Sequence, residues 1–221
     1  MKRILNGVSI YYEKNGEGKP IVLLHGNGED HTIFDMLVDK LKSIYTVYTP
    51  DTRGHGNSGK ADIFCYEDMA EDIAQLIQAE NLKAPALYGF SDGGITGLLL
   101  AIKNPDLLSH LIISGANLDP MGLFMKWRLL FRLQYMMKKT QNMRLMLTEP
   151  HITPVQLHSI QIPTLVLAGQ RDMIKTAHTR LIAHEIQESK LLILPKENHG
   201  SYVVHSDKLY PIISAFLEEN V

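Results

Sequence analysis

The chain has 221 residues, 45% hydrophobic and 21% charged, with a formal net charge of -2. That charge leaves no electrostatic footprint for nucleic acid, so no nucleic-acid partner is expected. Cys65 is the single cysteine, which excludes an intrachain disulfide, and no run reaches the apolar length of a membrane span. Asn6, Gly7 and Ser9 interrupt the stretch that a secretory leader would need after Lys2 and Arg3. A cytoplasmic protein without stable membrane insertion is the expectation, with its oligomeric state open.

In chain order, Ile4 and residues 8–12 flank Asn6-Gly7 and predict an opening hairpin. Strands follow at 21–24 and 44–49, then a helix over 66–79 with Met69, Ile73, Leu76 and Ile77 at helical spacing. A strand at 86–90, a helix over 95–102 and a strand at 111–114 come next. The remainder gives a strand at 165–168, a helix over 176–186, a strand at 191–194 and a closing helix that takes in His205. Apolar strands alternating with helices predict one α/β domain over residues 1–221, a doubly wound and mostly parallel sheet.

Residues 121–146 depart from the alternation, being dense in Met, Leu and aromatics, and predict an inserted helical pair. Falling between two strands, the insertion (about 120–160) belongs over the carboxyl edge of the sheet, where open α/β sheets bind ligands. Phe124, Trp127 and Phe131 are its candidate substrate contacts, and its methionines suit an adaptable pocket wall or plain core packing. Lys126, Arg128, Arg132, Lys138, Lys139 and Arg144 make it basic. The pattern reads as a solvated outer face above an apolar inner one, with docking on a membrane surface or attraction of an anionic substrate as the alternatives.

The most informative stretch is Gly89-Phe90-Ser91-Asp92-Gly93, with a strand before it and a helix after it. G-x-S-x-G on such a turn lifts a serine hydroxyl above the sheet, making Ser91 the candidate nucleophile. His25-Gly26-Asn27-Gly28 closes an earlier strand, so the backbone N–H groups of Asn27 and Asp92 are candidate oxyanion donors, while His25 braces the loop. Serine needs a base, and the base needs an orienting acid. Asp172, just past the strand at 165–168, is the candidate acid, and His199, after the strand at 191–194, is the candidate base. Asp119 is the rival acid.

These motifs resemble the α/β-hydrolase superfamily along nearly the whole chain. The run Asp51-Thr52-Arg53-Gly54-His55-Gly56-Asn57-Ser58 is similar to the family's D-x-R-G-x-G-x-S loop, which implies an architectural part for Asp51, Arg53 and His55. The resemblance makes the insertion a short cap that shapes the pocket. Relatives with aspartate at the nucleophile position open epoxides or displace halide, so Ser91 implies acyl transfer. The expected activity is a serine hydrolase that cleaves a small carboxylic ester or thioester through an acyl-enzyme. The alternatives are a receptor that keeps the triad with little turnover, or a lyase, perhydrolase or carbon-carbon bond hydrolase using the same residues.

Two other patterns are set aside. Gly54 to Lys60 satisfies G-x-x-x-x-G-K, but Ala61 stands where magnesium needs Ser or Thr. His184-Glu185 lacks a second histidine at zinc spacing. No metal and no cofactor are expected.

Overall fold

Asn6 and Gly7, at φ 44° and 78°, turn strand β1 (Lys2–Leu5) into β2 (Val8–Asn15), as the Asn-Gly pair requires of a tight hairpin. The computed structural model describes residues 1–61 and 63–219. After the hairpin come β3 (Lys19–Leu24), α1 (Asp35–Leu41), β4 (Tyr45–Pro50), α2 (Tyr66–Ala79), β5 (Ala86–Phe90), α3 (Asp92–Lys103) and β6 (His110–Ser114). The chain continues through α4 (Met125–Lys138), α5 (Gln141–Thr148), α6 (Pro154–Leu157), β7 (Thr164–Arg171), α7 (Thr176–Glu185), β8 (Ser189–Asn198) and α8 (Tyr210–Glu219).

The strands form one eight-stranded sheet in the order β1-β2-β4-β3-β5-β6-β7-β8. β2 pairs antiparallel with both β1 and β4, and the other strand pairings are parallel. Continuously apolar strands demand cover on both faces, and Ile21 to Leu24 of β3 are wholly buried. One face carries Leu76, Leu98, Leu100, Leu111 and Ile182 beneath α2, α3 and α7. The other carries Leu23, Tyr88, Ile112, Phe34, Leu37 and Ile213 beneath α1 and α8. This is the doubly wound sheet expected from the sequence, with α4 and α5 inserted between β6 and β7. Among the described residues, no helix is long and apolar enough to cross a membrane.

Three elements differ from the sequence expectation. β7 and β8 run longer than their apolar centres because their polar ends still pair, Arg171 opposite Asn198. Helix α1 carries no predicted counterpart, since its seven residues are too few for a periodic signal. His205 lies before the closing helix instead of within it, at φ 48°, with its Nδ1 3.0 Å from Asp35.

The Asp51–Ser58 segment is a brace. Asp51 is fully buried and accepts from the His31 and Asn57 N–H groups, while Arg53 makes a two-pronged pair with Asp72 of α2 at 2.7 and 2.6 Å. Burial pushes the Asp72 carboxyl upward even though Arg53 pulls it down, so desolvation outweighs pairing there. Asp72→Leu alone should therefore cost about 3–5 kcal/mol in urea unfolding, by stranding Arg53. Arg53→Met combined with Asp72→Leu should recover most of that loss, and additive losses would refute the coupling.

Candidate active site

Ser91 occupies the turn between β5 and α3 at φ 53°, ψ -112°, a conformation that holds a non-glycine residue only under strong surrounding constraint. Its N–H donates to the Ser114 carbonyl (2.8 Å) and its own carbonyl caps the first turn of α3, accepting from Gly94 and Ile95. A Cβ on Gly93 would stand 2.2 Å from the Leu24 carbonyl oxygen, which is the steric reason for glycine two places after the serine. The result is a partly exposed hydroxyl above the carboxyl edge.

Strand register brings the other two residues to it. Phe90 of β5 pairs with Ser114 of β6, and Arg171 of β7 pairs with Asn198 of β8, so Ser91, Gly115, Asp172 and His199 each stand one residue past a strand end. His199 Nε2 lies 3.0 Å from Ser91 Oγ, and His199 Nδ1 lies 2.6 Å from Asp172 Oδ1. Asp172 is buried and accepts further from the backbone N–H groups of Ile174 (3.0 Å) and Gly169 (3.3 Å). With the carboxylate accepting Nδ1–H, His199 presents a basic Nε2 to the serine. The Phe90 ring lies 4.9 Å from the imidazole, centre to centre, and supports it from the side. Asp119, the rival acid, instead accepts from the Met121 N–H and faces His178 Nε2 at 3.4 Å.

Asn27 and Asp92 are joined directly, Asn27 Nδ2 donating to Asp92 Oδ2 at 2.8 Å. Among the described residues, neither backbone N–H has an acceptor within the chain, since Asp92 opens α3 and Asn27 sits in the β3 loop. Both amides are thus free to serve an oxygen beside Ser91. The Asp92 carboxyl also accepts from the Tyr66 hydroxyl, and burial pushes its titration upward. The Asn27 amide reaches the cap too, donating to the Asn142 carbonyl at 3.2 Å.

A cleft of about 510 Å³ opens above the serine, walled by Phe90, Trp127, Phe131, Met143, Met146 and Met173, with Glu29 and Arg171 as its charged members. Trp127 and Phe131 stack at 6.3 Å. Phe124 is not part of this wall. It precedes α4 in extended conformation (φ -62°, ψ 143°), out of phase with the helix, and is 43% exposed. Met143, Met146 and Met173 are wall residues that sequence reasoning did not single out by number; the methionine density of the insertion hinted at the first two, while Met173 lies between β7 and α7. A larger depression of about 600 Å³ lies at the opposite end of the strands, beside Lys19, Lys83, Ser109 and His110, away from Ser91, Asp172 and His199.

Among the described residues, two groups bring metal-ligand atom types within 4.8 Å of one another: Asp30, His31 and Asp51, and Cys65, Glu67 and Glu149. Their atoms are already employed, Asp51 in the brace and Glu149 in accepting from the Tyr66 N–H, and burial pushes the Cys65 thiol up to about 11, away from the thiolate that binds metals. The Gly54–Lys60 stretch forms turns closed by Gly54 N–H to the Gly59 carbonyl, and the next helix begins only at Tyr66. That is not a phosphate-binding loop.

His25 is fully buried, accepts from the Thr52 N–H at Nε2 (3.0 Å) and donates from Nδ1 to the Gly26 carbonyl (2.8 Å). Burial, reinforced by neighbouring His55, lowers its pKa from 6.5 to about 4. Between those values the unfolded chain binds a proton that the folded chain refuses, so stability is retained above pH 6.5 and lost as pH falls toward 4. The full loss is about 3 kcal/mol. Urea midpoints across that range should fall in wild type and flatten in His25→Asn; equal slopes would contradict the assignment.

Comparison with known proteins agrees with this architecture. Residues 19–147, more than half of the chain, match the family model described as the alpha/beta hydrolase fold. The chain is 29% identical over 251 residues to serine hydrolase BPHL of Homo sapiens, covering 98% of this chain and 86% of that protein. It is 35% identical over 109 residues to the pimeloyl-[acyl-carrier protein] methyl ester esterase of Aliivibrio salmonicida, which covers 49% of this chain and 40% of the relative. A thermophilic esterase from Thermogutta terrifontis superposes with a TM-score of 0.81 at 21% identity, over 100% of this chain and 98% of the other. The chain belongs to the α/β-hydrolase family.

Proposed function

We propose that this hydrolase cleaves a small carboxylic ester or thioester through an acyl-enzyme on Ser91. The observation that carries the reading is the hydrogen-bonded sequence Ser91–His199–Asp172, at 3.0 and 2.6 Å, on a strained strand-to-helix turn. Ser91 Oγ attacks the carbonyl carbon while His199 Nε2 takes its proton. Asp172 keeps the imidazole in the tautomer that can accept, and stabilises the imidazolium that forms. The Asn27 and Asp92 N–H groups receive the charge developing on the carbonyl oxygen. His199 then gives its proton to the departing alcohol or thiol, and water repeats the sequence in reverse to free the acid.

The apolar wall of Phe90, Trp127, Phe131, Met143, Met146 and Met173 suits a short acyl or aryl group, and methionine adapts to more than one shape. The names of the relatives, a serine hydrolase and a methyl ester esterase, point the same way.

A panel of aryl esters, thioesters and lactones tests the proposal. Ser91→Ala should abolish turnover, and Asp172→Asn should lower kcat by roughly 10⁴, because an amide that donates to Nδ1 leaves the imidazole in the wrong tautomer and removes the charge that stabilises the imidazolium. Tight ligand binding with no turnover of any panel member would favour a receptor instead.

Gly115 supplies a sharper test of the geometry. It lies at φ 63°, and a Cβ there would meet His199 Cε1 at 2.7 Å. Gly115→Ala should displace the imidazole and lower kcat/KM by roughly 10², with the far-ultraviolet circular dichroism retained. Unchanged kinetics would show that the observed placement of His199 is not the working one.

A further inference from the structure

Helix α4 is apolar on two faces. At about 100° per residue, Trp127 and Phe131 share the side that lines the cleft, whereas Met125, Leu129, Leu130, Leu133, Met136 and Met137 fall in a contiguous arc of about 140° on the other side. All six are exposed, from 40% at Leu130 to 83% at Met137. The sequence pattern predicts a solvated outer face here, and the structure puts most of the long apolar side chains of the helix into solvent. Isolated exposed leucines need no explanation, but six adjoining apolar side chains on one helix do.

The charge around this face says what covers it. Arg128 and Arg132 border the arc on one side and Lys126 stands within it; Lys138 and Lys139 follow at the carboxyl end of the helix, Lys138 in phase with Trp127 and Phe131, with Arg144 on the following helix. No Asp or Glu occurs between Asp119 and Glu149. None of the six cations is held in an ion pair among the described residues; Lys126 lies over the Trp127 ring at 5.6 Å, and Arg144 donates to Gln141. On a chain of net charge -2 this is a local concentration of unpaired positive charge around an apolar ridge. A second copy of the same face would set like charge against like. An anionic amphiphile surface satisfies both parts, taking the apolar side chains below the headgroups and the cations among them.

We propose that the outer face of α4 docks on an anionic lipid surface. The inner side of the same helix walls the cleft above Ser91, so the docked helix and the cleft share one element. α5 anchors the arrangement from behind: Asn142 bonds His55 and Asn27, and Gln141 bonds the Phe64 carbonyl. The outer face of α4 is thereby left free to dock while the cap stays attached.

Sedimentation with phosphatidylcholine vesicles, with and without phosphatidylglycerol, tests this independently of catalysis. The protein should bind only the vesicles that contain phosphatidylglycerol, and Ser91→Ala should bind like wild type. Leu133→Ser/Met137→Ser and Lys138→Glu/Lys139→Glu should each weaken binding about tenfold, as should raised salt. Turnover of a soluble short-chain aryl ester should be unchanged in both double variants. Equal binding to both vesicle types, or binding indifferent to the two double variants, would overturn the proposal. So would a dimer in sedimentation velocity that Leu133→Ser/Met137→Ser dissociates while vesicles stay unbound, since the face would then belong to a second copy.

Discussion

Parallel register between β5, β6, β7 and β8 is the constraint on which the carboxyl edge depends. Side chains from positions 91, 172 and 199 meet only because each is the first residue beyond a strand whose neighbour ends at the same height. Slipping one pairing by a residue would move a side chain by more than 3 Å and turn it to the other face, which no hydrogen bond of 2.6 or 3.0 Å would survive. The buried apolar strands fix that register, so the core of the protein is what sets the distances at its rim. β6 contributes no charged group, and its part is clearance: Gly115 leaves the space that the His199 ring fills.

Around this rim burial weighs on the ionisable groups, while Glu29 and Arg171 are the charged members of the cleft itself. Burial pushes the Asp92 carboxyl up and the His25 imidazole down, and Asp72 is matched with Arg53 on a neighbouring turn. Beside the serine hydroxyl stand the His199 imidazole, the candidate amide donors at Asn27 and Asp92, and a mostly apolar wall. Preorganised dipoles of this kind need no rearrangement as a reaction proceeds, which is where electrostatic catalysis draws its strength.

Much of this was legible in the sequence, for local reasons. The strained turn at Ser91 demands small neighbours, so glycines at 89 and 93 report it directly. Asp172 and His199 were visible because short apolar runs end just before them and the order of the three residues suits the topology. Other features depend on contacts distant in sequence and left no mark. Gly115 looks like any glycine after a strand until the ring from position 199 is placed against it. Phe124 shares helical spacing with Trp127, but the helix starts one residue later and the Phe124 N–H bonds the Met173 carbonyl, which turns its ring out of the cleft. The outer face of α4 shows why periodicity alone is insufficient: its long apolar residues are more frequent outside than inside, and only the fold tells which side is covered.

The most direct measurement of the central claim is peptide mapping after exposure to a fluorophosphonate, which phosphonylates a serine only when a base and oxyanion donors activate it. The account predicts a single modified peptide carrying the adduct on Ser91, formed in wild type and greatly slowed in His199→Ala. A folded protein that stays unmodified, or one modified on another serine at the same rate, would contradict it.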